Sequence, residues 1–179
     1  MTVSAETSEQ GNGIRWGAFL LVCLAYLATT TGEAVLAPIY PVAADDLGLD
    51  LTRAGVAFAV LATAIAIFNV IGGLLLRRWK TTAVLAAALA ATSLGALVAA
   101  TASAAPQFLA AQLLLGAGAG LLYPGAVMSV GTLAGPRRRG FAMGLFGVFF
   151  SGGLVLAAGL SALGTQIDWR WTFGIASIL

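Results

Sequence analysis

Histidine is absent from the 179 residues, cysteine occurs once, and only 9% of the side chains carry a charge. Each shortage removes a class of function. Without histidine there is no Ser/His or Cys/His catalytic pair, no His-ligated zinc and no His-ligated haem, and a single cysteine forms no internal disulfide. Nine bases and seven acids are too few to cover a soluble globule, since an ordinary soluble domain carries roughly 25% charged residues. A soluble domain and a disordered tail are both excluded. A phosphate-cradling loop is missing as well, because the glycines lie in apolar runs and no Gly-Lys-Ser/Thr follows them. No pair of acids, nucleophile with base or metal cluster falls at one depth of these runs, so the chain is not expected to be an enzyme. No metal, cofactor or nucleic-acid partner is expected either.

Hydrophobic residues make up 60% of the chain, and the mean hydropathy is +0.97. The charges stand in short clusters between long uncharged runs, and a run of about 20 residues crosses the hydrocarbon as a helix. Five runs reach that length, at about 16–36, 54–76, 82–101, 106–133 and 141–163, and a sixth begins at 171–179. The runs are apolar on all sides, without the dyad alternation of a transmembrane barrel. The expected fold class is an all-α membrane protein, a polytopic helix bundle of five full spans and the start of a sixth. Nine residues from Trp171 to Leu179 do not cross a bilayer, so the chain is expected to be a truncated piece of something longer.

Basic residues in short loops stay cytoplasmic. Arg15, Arg77, Arg78, Lys80, Arg137, Arg138 and Arg139 fall on one side and only Arg53 and Arg170 on the other, where Asp45, Asp46, Asp50 and Asp168 also lie. The N-terminus is therefore expected in the cytoplasm, with a polar segment at 1–13 and the membrane domain at 14–179. Met1 to Gly13 carries Glu6 and Glu9 where a signal peptide would have bases, so span one is expected to be retained. Trp16, Trp79, Trp169 and Trp171 fall at span ends and are read as interfacial anchors.

Glu33 is the one ionisable acid or base within a predicted span, near its outer end. An acid at the bilayer centre costs about 2.5–3.5 kcal/mol, so it is expected to face a bundle interior or a watery cavity. Tyr26, Thr29, Thr30 and Glu33 recur at i, i+3, i+4, i+7, a hydroxyl-lined stripe with one acid. Gln112, Gly116, Ala119 and Tyr123 share a face of span four, and span two carries the amide Asn69. The amides and phenol either bind a solute or bond a neighbouring helix. The series Gly116 to Gly120, the pair Gly140 and Gly144, and Gly147 with Ser151 repeat the small-x-x-x-small pattern of close helix packing. Phe146, Phe149 and Phe150 read as packing or lipid-facing bulk.

Pro41-Val-Ala-Ala-Asp-Asp-Leu-Gly48 between spans one and two is similar to a passage common in the major facilitator superfamily. Gly73-Leu-Leu-Leu-Arg-Arg-Trp-Lys80 stands where that family has its conserved loop after helix two; Arg77 occupies the acidic position, Arg78 matches the base and Lys80 replaces a glycine. Gln112 to Gly118 repeats the glycines of a helix-four pattern whose arginine is here Gln112, and Ala157 and Ala158 replace the Gly-Pro of the antiporter pattern. Arg137-Arg-Arg-Gly140 and Asp168-Trp-Arg-Trp-Thr-Phe173 also look like family passages. The chain resembles the N-terminal six-helix half of such a transporter over about 16–179.

That resemblance implies inverted three-helix repeats, with substrate bound near the midplane between two six-helix halves. The expected function is secondary active transport of a small neutral or cationic solute by alternating access, drug-efflux-like carriers included, in the plasma (inner) membrane. Cavity candidates are Tyr26, Thr29, Thr30, Glu33, Asn69, Gln112 and Tyr123, with Glu33 as proton or cation site. Gly73, Arg77, Arg78 and Lys80 form the cytoplasmic loop motif, and Gly116, Gly120, Gly140 and Gly144 the helix packing set. The expected partners are the solute, the lipid bilayer, and a missing C-terminal half or a second copy. The alternative is a truncated or accessory, non-transporting membrane protein that assembles through its small-residue helix faces.

Overall fold

The computed structural model describes residues 14–48, 51–166 and 168–178, without the side chains of 51–54. The N-terminal segment 1–13, Asp50, Leu179 and the Arg53 side chain lie outside the described residues. Among the described residues seven helices follow in order: α1 (Trp16–Ala34), α2 (Leu36–Asp46), α3 (Leu51–Leu75), α4 (Thr81–Ala100), α5 (Ala105–Leu133), α6 (Gly135–Gly164) and α7 (Trp169–Ala176). No strand occurs among the described residues, and five runs are long and apolar enough to cross a membrane. The protein is an all-α membrane bundle.

Helix α1 does not stop where the apolar run 16–36 thins out. Val35 keeps right-handed helical backbone angles, and α2 carries the chain on to Asp46 as one 31-residue run. Pro38 has no N–H to offer the Ala34 carbonyl, and Pro41 lies inside α2, so the helix is interrupted at Val35 and continues. Two hydroxyls add bonds around the interruption: Ser161 donates to Val35 O at 3.2 Å, and Thr31 to Leu27 O at 2.8 Å and Gly153 O at 3.3 Å. Glu33 therefore sits near the middle of a long helical run, not near the end of a short one.

Prolines also start helices, at the first turns of α5 and α6, where a missing N–H costs nothing. Between α5 and α6 the chain reverses through Ala134 and Gly135 alone. Gly135 has φ +65°, a left-handed conformation that favours glycine. Arg137, Arg138 and Arg139 fall within the first turns of α6, ahead of the apolar run 141–163.

Packing follows a two-fold pattern. Helix α5 lies against α3 and α4, and α1 lies against α6 and α5, while α4 meets α7. Exchanging the first three spans for the last three turns the α3–α5 contact into α6–α1, and returns α1–α5 and α4–α7 to themselves. This is the contact pattern of two inverted three-helix repeats. The centre is α5. A Cβ on Gly116 would meet Leu61 O at 2.6 Å and one on Gly120 would meet Ile65 O at 2.6 Å, both on α3, whereas one on Gly118 would strike Thr92 and Ala88 O of α4. Gly95 of α4 and Gly153 of α6 allow the same closeness to Leu115 and to Leu27 and Thr30. Gly140 and Gly144 do not serve the packing expected of them: a Cβ on either meets nothing within 4 Å, as at Gly147. The small-residue spacing recurs on α6, but it falls on a face that no described helix covers.

Two apolar clusters fill the bundle. One, toward the Asp46 end, gathers Val35, Leu36, Ile39, Phe108, Leu115, Trp169 and Phe173. The other, toward the Trp16 end, gathers Ile14, Phe19, Cys23, Leu122, Val130 and Phe146. Large apolar side chains such as Phe58, Ile67, Val70, Val148 and Val155 stay exposed on α3 and α6, as lipid-facing surface does.

Overpacking a tight helix contact costs about 1–3 kcal/mol or more. Gly120→Leu is expected to lower the thermal unfolding temperature of the solubilised protein sharply and Gly147→Leu to leave it nearly unchanged. Equal effects would show that the α3–α5 contact does not hold the bundle.

Candidate solute-binding site

Threonines dominate the turn of α1 between the two apolar clusters. Thr29, Thr30 and Thr31 are buried there. Thr31 donates to carbonyl groups as described, but among the described residues the Thr29 and Thr30 hydroxyls have no hydrogen-bond partner. One turn further on, the half-buried Glu33 carboxylate accepts a hydrogen bond from the hydroxyl of Tyr123. This bond joins spans one and four. Tyr123 reaches it because the glycines of α5 fix that helix against α3 and α4, and Pro124 behind it packs toward Gly72 of α3.

Tyr26 stands two turns before Glu33 on the same face. Its ring lies 5.3 Å from that of Tyr123, 4.2 Å from Phe146 and 5.9 Å from Phe150. Phe146 and Phe150 were expected as bulk; being four residues apart on α6, they both face Tyr26. The sequence marks them only by that spacing, which core residues share.

The remaining candidates are dispersed. Gln112 is fully buried on α5, and neither its amide nitrogen nor its amide oxygen has a partner among the described residues. Eleven residues separate it from Tyr123, about 16 Å along a helix, and it makes no hydrogen bond to the carboxylate. Asn69 is exposed on α3 and makes no side-chain hydrogen bond among the described residues. Gly73 is open, while Arg77 and Arg78 line a cavity of about 600 Å³ with Ile71, Leu74 and Leu75. Neither arginine meets an acid within 4 Å among the described residues.

A second polar cluster, at the Asp46 end, was not anticipated. Trp169 is not an interfacial anchor: it is buried, stacked edge-on against Phe108 and Phe173, and its indole N–H donates to Asp46 at 3.1 Å. Trp16, Trp79 and Trp171 remain exposed. Arg170 pairs with Asp46 at 2.7 Å, lies over the Trp169 ring at 4.5 Å, and donates through Nε and Nη2 to Ala102 O. Asp168 caps α7 by accepting from the Arg170 backbone N–H at 2.9 Å. The Asp168-Trp-Arg string thus ties the ends of spans one, three and six together.

Residues 22–179 match the Major Facilitator Superfamily. The chain belongs to that family. Among its relatives is a 3-(3-hydroxy-phenyl)propionate transporter of Escherichia coli, 30% identical over an alignment 150 residues long, which covers 74% of this chain and 37% of that protein. Among solved structures, a crystal structure of a mutant of the peptide transporter POT in complex with sulfate superposes with a TM-score of 0.79 at 22% identity, over 97% of this chain and 38% of that one. The second likeness is one of fold. The chain spans a little over a third of the length of both relatives. In this family member the polar clusters occupy two levels: Glu33 with Tyr123 at mid-helix, and Asp46 with Arg170 at the helix ends.

Arg170→Ala removes the ion pair and both bonds to Ala102 O, and Arg170→Lys keeps only the charge. Both are expected to lower the unfolding temperature of the solubilised protein by several degrees, with little rescue by lysine, whereas Arg138→Ala leaves it unchanged. Full rescue by lysine would reduce the cluster to its charges.

Proposed function

We propose that this chain supplies the N-terminal six-span half of a secondary active transporter for a small solute, working by alternating access. The observation that carries the reading is the Tyr123–Glu33 hydrogen bond, an acid and its donor on spans one and four, mid-helix in a member of a transporter family. A lone acid at that depth is costly in a bilayer and is a functional group by default. Glu33 serves as the proton or cation site. Tyr26, Thr29, Thr30 and Tyr123 line the solute path beside it, with Gln112 and Asn69 farther along the two neighbouring helices. The facing wall comes from a C-terminal half of the same transporter or from a second copy, in keeping with a chain that spans 37% of its relative.

The protein lies in the plasma (inner) membrane with its N-terminus in the cytoplasm, as the loop bases argue. The relative from Escherichia coli is named for an aromatic propionate, an anion. Here no lysine or arginine lies within the apolar runs and the mid-helix acid is Glu33, which favours a neutral or cationic solute. The accessory-protein alternative draws on small-residue faces, but Gly116, Gly118 and Gly120 are occupied within the bundle, leaving that reading only the open glycines of α6.

The test is flux into proteoliposomes containing the full-length protein. Glu33→Gln is expected to abolish the pH dependence of transport while insertion and unfolding temperature stay intact. Unchanged pH-driven flux in that variant would remove Glu33 from the coupling role.

A further inference from the structure

We propose that Tyr26, Tyr123, Phe146 and Phe150, together with the Glu33 carboxylate, form a binding site for an organic ammonium ion bearing apolar substituents. This deepens the transporter reading and rests on it. Three helices contribute: α1 gives Tyr26 and Glu33, α5 gives Tyr123 and α6 gives both phenylalanines. The Tyr123 side chain joins the two parts of the site, since its hydroxyl is bonded to Glu33 and its ring lies 5.3 Å from that of Tyr26. Ring faces carry negative quadrupole density and attract a cation within about 6 Å, most strongly when water is excluded.

Charge balance points the same way. Glu33 has no basic partner within 4 Å among the described residues, and it stands between two apolar clusters, where an uncompensated carboxylate is costly. An ammonium ion would neutralise it, and its alkyl or aryl groups would lie against rings. Plain aromatic packing explains the burial of Phe146 but leaves two things aside. Phe150 is 38% exposed at the edge of the group, so the group is open at that ring. The buried hydroxyls of Thr29 and Thr30, on the carboxylate's own helix, have no hydrogen-bond partner among the described residues, a need that a polar ligand would meet. Rings supply no oxygen ligands, and one carboxylate with a few hydroxyls falls short of the six to eight oxygens of a calcium site. The ligand class that satisfies both rings and carboxylate is the organic cation.

The experiment is equilibrium binding of radiolabelled benzyltrimethylammonium to the full-length protein in nanodiscs, with its neutral carbon isostere neopentylbenzene as competitor. Saturable binding is expected, at least tenfold weaker in Glu33→Gln and in Tyr26→Leu, retained in Tyr26→Phe, and displaced at least tenfold less well by the isostere. Retention in Tyr26→Phe separates loss of the ring from loss of folding. Equal displacement by the isostere, full binding in Tyr26→Leu, or absence of saturable binding would each overturn the site. Solute flux measured on the same preparation keeps the two readings apart. Flux without ammonium binding leaves the transporter and removes the site; ammonium binding with this variant pattern but no flux leaves the site and removes the transporter.

Discussion

Close approach of backbones at α5 is the constraint on which the rest of the molecule depends. Within a bilayer there is little hydrophobic gain in pressing one apolar helix on another, so association relies on van der Waals contact at short range. Gly116, Gly118 and Gly120 alternate between two neighbours, the first and last meeting α3 and the middle one meeting α4. A helix held on two sides in this way has little freedom to rotate. Its other faces are thereby assigned, and one of them carries Tyr123 to the carboxylate on α1. The site is thus a consequence of glycine placement some distance from it.

Polarity is layered in a way that suits a moving solute. Apolar clusters lie toward both ends of the bundle, and the threonine turn with Glu33 lies between them. Buried hydroxyls at Thr31 and Ser161 are used up on backbone carbonyls around the interruption at Val35, which satisfies them without a ligand. Thr29, Thr30 and Gln112 are not used in that way. A membrane protein that leaves hydroxyls and a whole amide without partners in its interior spends stability that packing alone would have kept.

Most of the architecture was legible because composition is nearly sufficient for it. Uncharged runs of span length between basic clusters specify helices and their number, and short connections leave few ways to arrange them. The stripe of Tyr26, Thr29, Thr30 and Glu33 was legible for the same reason, since all four lie on one helix and spacing gives their common face. What could not be read were relations between helices. Nothing in the local sequence says that Phe146 and Phe150 approach Tyr26, or that Trp169 turns inward to Asp46, because each depends on the register of one span against another. The apolar run also stops short of the helix: span one reads as 16–36, whereas the bilayer's demand for backbone bonding keeps the chain helical past Val35 to Asp46.

The cluster at the Asp46 end bears on how such a bundle moves. Arg170 holds Asp46 at the end of span one and Ala102 just past the end of span three, while Asp168 and Trp169 fix the start of α7 between them. Spans three and six map onto each other under the internal two-fold, and the clamp ties both to span one. These ends therefore move together or not at all. Span five lies outside the clamp but is bonded twice to span one, by Thr31 to Gly153 O and by Ser161 to Val35 O, and it carries Phe146 and Phe150. Any shift of α6 along α1 would change the distance of those two rings from Tyr26 while leaving the Tyr123–Glu33 bond in place. Such a shift would also break both of those bonds and the close contact of Gly153 with Leu27, so the aromatic side and the carboxylate side of the site are held by separate fastenings.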